Sequence, residues 1–208
     1  MAILHSATIT PTKTELLTAW LPAQPWFPAD AADAADDTAL PVEPVRIGTF
    51  RFDDPAGQVG VETLILELPG ATDLPLLQVP LTYRDAPLAG ADAWLIGNME
   101  HSVLGTRWVY DALGDPVYLR ELASAALTGG TEAEQFHETP DGPVRIEGTA
   151  QVRGSGAPGT AVPDLDGLEI TVVRVLDGTA GAAPDAATLT GTWAGQASPA
   201  LLATVAAR

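Results

Sequence analysis

The stretch that decides the fold runs Leu76-Leu-Gln-Val-Pro-Leu-Thr-Tyr-Arg-Asp-Ala-Pro-Leu88, then Ala93-Trp-Leu-Ile-Gly-Asn-Met-Glu-His-Ser-Val-Leu-Gly-Thr-Arg-Trp-Val-Tyr-Asp-Ala-Leu113, then Asp115-Pro-Val-Tyr-Leu-Arg-Glu-Leu122. Two of the five tryptophans and all three tyrosines of the chain lie within it. Its first two parts are β-prone. Asp115 followed by Pro116 is typical of a helix start, because Asp caps a helix and Pro is tolerated in the first turn. We expect this stretch to form the centre of the fold.

Alternation of apolar and polar residues predicts strands on both sides of this centre. They are expected at 45–52, 59–68, 76–83, 93–96, 107–112, 144–153, 169–176 and 189–193, the last resuming at 200–205. Turn residues at 53–57 make the first two a hairpin, and Pro80 predicts that the third lies at a sheet edge or a bulge. Most connections are too short for parallel crossovers. The predicted class is therefore α+β, a mainly antiparallel β-sheet packed against one or two α-helices, with a β-rich C-terminal part.

Two helices are predicted by their end signals. Thr12 and Glu15 fit a capping box, which predicts a helix over 13–21 that ends before Pro22. The second helix is expected over 116–127, with Leu119, Leu122, Ala123 and Ala126 on its buried face and Gly129-Gly130 as its end.

Length and composition limit the function classes. A chain of 208 residues is expected to form one domain with one sizeable core. Its net charge of −17 disfavours nucleic acids and anionic membrane surfaces as partners, and Lys13 is the only lysine. There are no cysteines, and no apolar run is long enough to span a bilayer or to act as a signal peptide. We expect a cytoplasmic protein.

Several motifs are better explained by structure than by chemistry. Residues 154–159 match GxGxxG, but no helix follows and no lysine lies downstream, so a hairpin loop is expected. His101 beside Glu100 is expected to be a loop histidine bonded to backbone. Residues 164–167 read as a turn, and the aspartate-rich run at 29–43 as a mobile acidic loop. We therefore predict no catalytic residue, no cofactor and no metal site.

Four segments resemble a known family. Trp20-Leu-Pro-Ala-Gln-Pro-Trp-Phe27 contains an aromatic pair between prolines, expected to pack on the core. Together with Val79-Pro-Leu-Thr-Tyr-Arg84, Leu95-Ile-Gly97 and Val109-Tyr-Asp-Ala-Leu113 it resembles the N-terminal cap domain of actinobacterial maltokinases, in the same order, over roughly residues 10–127. Glu100-His-Ser-Val-Leu-Gly105 and Leu189-Thr-Gly-Thr-Trp-Ala-Gly195 look like a stand-alone group of such cap-like proteins.

The resemblance implies a curved antiparallel sheet packed on a helix, without phosphotransfer residues. It divides the single domain into a cap-like core, 1–130, and a β-rich extension, 131–208, that is expected to complete the sheet. It implies a non-catalytic module linked to maltose, trehalose or glycogen metabolism that binds a sugar kinase or another glucan-metabolising enzyme.

A second hypothesis is a sugar-binding protein, or an enzyme of undetected type, that uses the concave sheet face. The candidate residues for that face are Tyr83, Arg84, His101, Trp108 and Tyr110, with Asp111 nearby. Alternation along a strand puts Trp108 and Tyr110 on one face and Asp111 on the other, so these residues cannot all line one surface. A competing structural prediction packs Tyr110 against Leu119 and Leu122, and has Asp111 accept backbone hydrogen bonds in the turn before the helix.

Overall fold

The computed structural model describes residues 2–4, 7–28, 43–69 and 74–208. In chain order its elements are β1 (Ala2–Leu4), β2 (Ile9–Thr10), α1 (Lys13–Trp20), β3 (Val45–Phe52), β4 (Gly60–Glu67), β5 (Leu76–Arg84), β6 (Leu95–His101), β7 (Gly105–Asp111), α2 (Pro116–Thr128), β8 (Gln135–Thr139), β9 (Gly142–Ile146), β10 (Ala150–Gly154), β11 (Leu168–Val172), β12 (Val175–Leu176), β13 (Ala187–Trp193) and β14 (Gln196–Ala207). Short 3₁₀ turns occupy 21–23, 92–94, 112–114 and 165–167. The α+β class is confirmed.

Within the described residues, the larger sheet has seven strands in the order β2-β6-β7-β5-β4-β3, with β12 pairing beside β5. All its pairs are antiparallel, and the sheet curls into a half-barrel. The β3–β4 hairpin is confirmed, with Phe52 opposite Val61. The strand predicted at 93–96 begins and ends later than expected. Met99 is the one apolar and the one buried residue among its last four, so these residues show no apolar–polar alternation that would predict a strand.

Apolar side chains cover both faces of this sheet. On one face Leu64, Leu66 and Val79 pack against Leu17 and Leu21, the latter just after α1. The other face carries a second cluster, made by the larger sheet, α2 and the strands beyond it; it includes Phe50, Phe52, Val61, Ile65, Tyr118, Leu122, Val152, Leu189 and Leu202. Each fully buried leucine or isoleucine contributes about 1.5–3 kcal/mol to stability. The two faces are called the α1 face and the α2 face below.

Both helices begin and end as their sequences predict. The Thr12 hydroxyl accepts from the Glu15 N–H, and the Glu15 carboxylate accepts from the Thr12 N–H at 2.6 Å, which completes a capping box. The Asp115 carboxylate accepts from the Val117 N–H at the start of α2. Gly129 ends α2 at φ 72°, a left-handed conformation that glycine adopts without steric cost.

The C-terminal extension does not simply complete the larger sheet. Only β12 joins it, while β10, β13, β14 and β11 form a separate four-stranded antiparallel sheet in that order. β8 and β9 pair with β1 in a three-stranded sheet, where β1 and β8 are parallel. The single strand predicted at 144–153 is therefore wrong: 147–149 interrupt it, and its halves belong to different sheets. Apolar and polar residues alternate through the whole range, so the sequence pattern does not reveal the break.

Pro80 lies inside the larger sheet rather than on an edge strand, since β5 has β4 on one side and β12 and β7 on the other. The Gln78 N–H donates to the Arg174 carbonyl on the β12 side, and a strand repeats every two residues, so residue 80 faces the same side. There β12 pairs with Leu76 and Leu77, and β7 begins pairing at Leu81. Among the described residues, Pro80 faces the gap between those two partners, where no ladder hydrogen bond is lost.

The glycine-rich stretch 154–159 is not a hairpin loop, because β10 pairs with β13 and not with the next strand. A Cβ on Gly154 would lie 1.9 Å from the Ala125 carbonyl oxygen, and one on Gly156 would lie 1.8 Å from that of Leu127. These glycines let the chain pass against the end of α2, and the Gly156 N–H donates to the Ala126 carbonyl. Residues 164–167 form the expected turn. The acidic run falls almost entirely on 29–42, outside the described residues.

Candidate binding cleft

The five candidate residues of the predicted binding face do not share one surface. Tyr83 lies opposite Val109 on the α1 face. Arg84 lies opposite Trp108, and Tyr110 follows Trp108 by two residues, so these three point to the α2 face. His101 ends β6 at the β6–β7 turn, where its Nδ1 accepts from the Val103 and Leu104 N–H groups at 3.3 and 3.1 Å. The prediction of a histidine bonded to backbone is confirmed.

Tyr83 belongs to a buried charge cluster centred on Glu62. Its hydroxyl donates to the Glu62 carboxylate at 2.8 Å, and the Thr49 hydroxyl donates to it at 3.2 Å. Lys13, the only lysine, forms an ion pair with the same carboxylate, and Arg51 forms a second at 3.0 Å. The Lys13 ammonium also lies 5.1 Å from the centroid of the Tyr83 ring. Glu62 is only 2% exposed, so its charge is stabilised by protein groups and not by water.

The pKa values in this cluster follow from burial and charge pairing. Burial alone would raise the pKa of Glu62, but Arg51 and Lys13 lower it further than burial raises it, and its pKa falls well below the ordinary value. Burial and the Glu62 charge both raise the pKa of Tyr83, which keeps its hydroxyl protonated as a donor. Burial lowers the pKa of Lys13, and Glu62 opposes that shift. The cluster anchors the start of α1 to the sheet.

Arg84 and Tyr110 also have structural partners. The Arg84 guanidinium donates twice to the buried Asp115 carboxylate, at 2.7 Å for each bond, and so holds the residue that caps α2. Burial raises the pKa of Asp115, whereas its bonds to Arg84 and to the Val117 N–H lower it further, so the net shift is downward. The buried Tyr110 hydroxyl accepts from the Leu88 N–H at 2.8 Å. Its predicted packing on Leu119 and Leu122 remains a prediction.

Asp111 belongs to a different site, where it pairs with a residue of the C-terminal extension. It accepts from the Leu113 N–H at 3.2 Å, which confirms the predicted turn bond. The same carboxylate also accepts from the Arg174 guanidinium, at 2.6 Å to Oδ1 and 2.5 Å to Oδ2. Sequence reasoning missed this pair, because no local pattern links residues 63 positions apart.

This ion pair borders an open cleft of about 460 Å³ at the edge of the α1 face. Its walls include Trp20, Trp26, Trp94, Asp111, Leu113 and Arg174. Trp20 and Trp26 meet edge to face, with ring centroids 5.8 Å apart, and the Arg174 guanidinium lies 5.0 Å from the Trp26 ring centroid. Such cation–π and aromatic contacts fix the orientation of each ring.

Trp94 forms the exposed wall of the cleft. It is 40% exposed, and it packs so closely on Gly114 that a Cβ there would lie 2.1 Å from its Cγ. The expectation that Trp26 packs on the core is correct, since it lies against the α1-face cluster. It did not predict the cleft, because the tryptophans that line the cleft come from two segments distant in sequence, 20–26 and 94.

The described part of the chain lacks two other features. It contains no group of three or more His, Asp or Glu side chains placed to hold a metal ion. No described helix is long and apolar enough to cross a membrane.

Comparison with known families bears on the segment that builds most of the larger sheet. Residues 20–115 match the family model of the maltokinase N-terminal cap domain. All four segments that carried the resemblance lie within this range, so the resemblance is confirmed for it. A search of curated proteins found no match. The range is called the cap segment below; it ends at the Asp115 cap of α2 and contributes every cleft residue named above except Arg174.

Proposed function

We propose that this chain is a non-catalytic, cytoplasmic cap module that binds a carbohydrate-metabolising enzyme, either a sugar kinase or an enzyme acting on glucans. The family match carries the proposal. Residues 20–115 match the cap domain that lies at the N-terminus of maltokinases. A module of that kind works beside a catalytic unit, and it supplies contact surface rather than reacting groups.

The surface best suited to such a contact is the outer edge of β6. Among the described residues, β2 pairs with β6 only at Glu100 and His101, so the edge from Leu95 to Asn98 has no strand partner. Leu95 is 38% exposed, and Asn98 is exposed as well. An open strand edge binds a partner strand through main-chain hydrogen bonds, and neighbouring side chains give specificity.

Electrostatics restrict the partner. A net charge of −17 favours an enzyme that presents a basic surface, because complementary charge speeds association and repels wrong partners. Binding should weaken as salt rises, since ions screen exposed charges.

The test measures binding to a purified maltokinase whose own cap domain has been deleted, by biolayer interferometry. Leu95→Lys places a charge on the open edge and should weaken binding at least tenfold. Val144→Lys is the matched control, because Val144 is a similarly exposed apolar residue on β9, in another sheet. Equal affinity of Leu95→Lys and wild type would reject the β6 edge. No binding to the kinase or to a panel of glucan-metabolising enzymes would reject the module itself.

A further inference from the structure

The cleft between Trp26 and Trp94 concentrates side chains with complementary chemistry. Three of the five tryptophans of the chain line it. Its charged groups are Asp111, which is 3% exposed, and Arg174, whose side chain is 10% exposed. A volume of about 460 Å³ falls within the range of about 300–1,000 Å³ that is usual for small-molecule sites.

The charge of the cleft favours a neutral ligand. Asp111 and Arg174 form a close ion pair, so together they carry no net charge. The chain as a whole is strongly negative, which repels phosphorylated and carboxylated molecules. Arg174 nevertheless keeps hydrogen-bonding capacity, because its buried Nη1 has no hydrogen-bond partner among the described residues. An unpaired buried donor is costly, and a rotation of the guanidinium toward the cleft would let an acceptor on a bound ligand pair with it.

The apolar walls favour a flat ligand with one hydrophobic surface. An indole ring offers a rigid platform of large contact area. A pyranose ring presents a face of C–H groups that can lie on such a platform, and its rim carries hydroxyls that both donate and accept hydrogen bonds. The exposed Trp94 ring, with the ion pair beside it, meets both needs.

We propose that this cleft is a binding site for a neutral pyranose, either a free oligosaccharide or the chain end of a glucan. Trp94 is the stacking platform, and Arg174 and Asp111 bind the hydroxyl rim. The cap segment supplies Trp94 and Asp111, whereas Arg174 comes from the extension just before β12. The site therefore needs both parts of the chain. The inference does not rest on the proposed docking of an enzyme, which uses the β6 edge.

The experiment titrates the full-length protein with maltose, glycogen and glucose 6-phosphate, following tryptophan fluorescence and the heat of binding. Saturable binding of maltose or glycogen is expected, and glucose 6-phosphate should bind more weakly than maltose. Binding of glycogen but not maltose would identify a glucan end as the ligand, and binding of maltose but not glycogen a free sugar. No saturable binding of either, or tighter binding of glucose 6-phosphate, would overturn the proposal.

Variants locate the binding. Trp94→Ala should weaken binding at least tenfold, and Gly114→Ala should do the same by displacing the Trp94 ring while leaving Arg174 in place. Trp108→Ala is the matched control, because Trp108 lies on β7 and points to the α2 face, away from the cleft. The affinity of this variant should equal that of wild type. Circular dichroism identifies any variant that fails to fold. A folded Trp94→Ala protein with unchanged affinity would overturn the assignment even if wild type binds sugar.

Discussion

Glu62→Gln tests whether the buried charge cluster stabilises the α1 face. The substitution keeps the shape of the side chain but leaves Lys13 and Arg51 facing each other without an anion. Removing one partner of a buried ion pair costs about 3–5 kcal/mol. Lys13 and Arg51 remain 19% and 13% exposed and can regain some water, so we expect the lower end, about 3 kcal/mol. In a chain of this length that lowers the melting temperature by roughly 6–12 °C.

The pH dependence gives a second, independent readout. The pKa of Glu62 in the folded protein lies well below the ordinary 4.5, so the unfolded chain takes up a proton at this group first as the pH falls. The stabilisation is therefore complete above about pH 5.5 and is lost progressively as the pH falls below about 4.5. The stability gap between wild type and Glu62→Gln should be constant at neutral pH and should narrow in acid.

Thermal and urea melts followed by circular dichroism measure both effects. Glu67→Gln is the control, since Glu67 is exposed at the end of the same strand, and it should change stability by less than about 0.5 kcal/mol. A Glu62→Gln protein that melts within 2 °C of wild type, about 1 kcal/mol or less, would refute the reasoning, as would a gap that stays constant in acid.

Three further predictions concern other parts of the chain. Arg84→Lys should lower stability by about 1–3 kcal/mol in urea melts, because an ammonium cannot form the paired bonds to Asp115; wild-type stability would show that the pair is dispensable. Gly156→Ala should cost about 1–3 kcal/mol by pressing on the Leu127 carbonyl, whereas Gly181→Ala, with open space around it, should be neutral; equal melting of the two would show that the close approach relaxes freely. The purified protein should neither hydrolyse ATP nor phosphorylate maltose or glucosamine, and turnover that persists through repurification and is lost on mutation of one residue would contradict this.

Sequence reasoning succeeded where the determinants are local. Thr12 and Glu15 are three residues apart, and their reciprocal bonds follow from spacing alone. The same holds for Asp115 at the start of α2 and Gly129 at its end. Alternation likewise predicted β3 and β4, because their turn and their pattern lie within one hairpin.

It failed where a side chain is stabilised by a distant part of the chain. Glu62 occupies a polar position in an alternating strand, which normally indicates a solvent-facing residue. Here Leu64 and Leu66 share its side of the strand and are fully buried, so both faces of β4 are covered. The pattern that could have indicated burial was a carboxylate on the same side of the strand as two leucines. The only lysine of the chain was the candidate for its partner.

The candidate binding residues illustrate the same limit. Aromatic and charged residues near the chain centre were good candidates by type, yet Tyr83 and Arg84 each serve a buried ion cluster on opposite faces of one strand. Their chemistry is used to fix α1 and α2 to the sheet. Residue type alone cannot distinguish such a use from ligand binding, since both need polar groups held by neighbours.

The extension has two effects on the cap segment, and they explain why the two belong in one fold. Its four-stranded sheet packs with α2 over the α2 face, where Val152, Leu189 and Leu202 join the same apolar cluster as Phe50 and Ile65. The connection from β11 to β12 then returns to the larger sheet beside β5 and brings Arg174 to Asp111 at the cleft. The extension thus covers the α2 face with its own sheet. At the edge of the α1 face it completes the ion pair that lies beside the three tryptophans of the cleft. A change in the extension that shifted β12 along β5 would therefore alter the cleft without touching any residue of the cap segment.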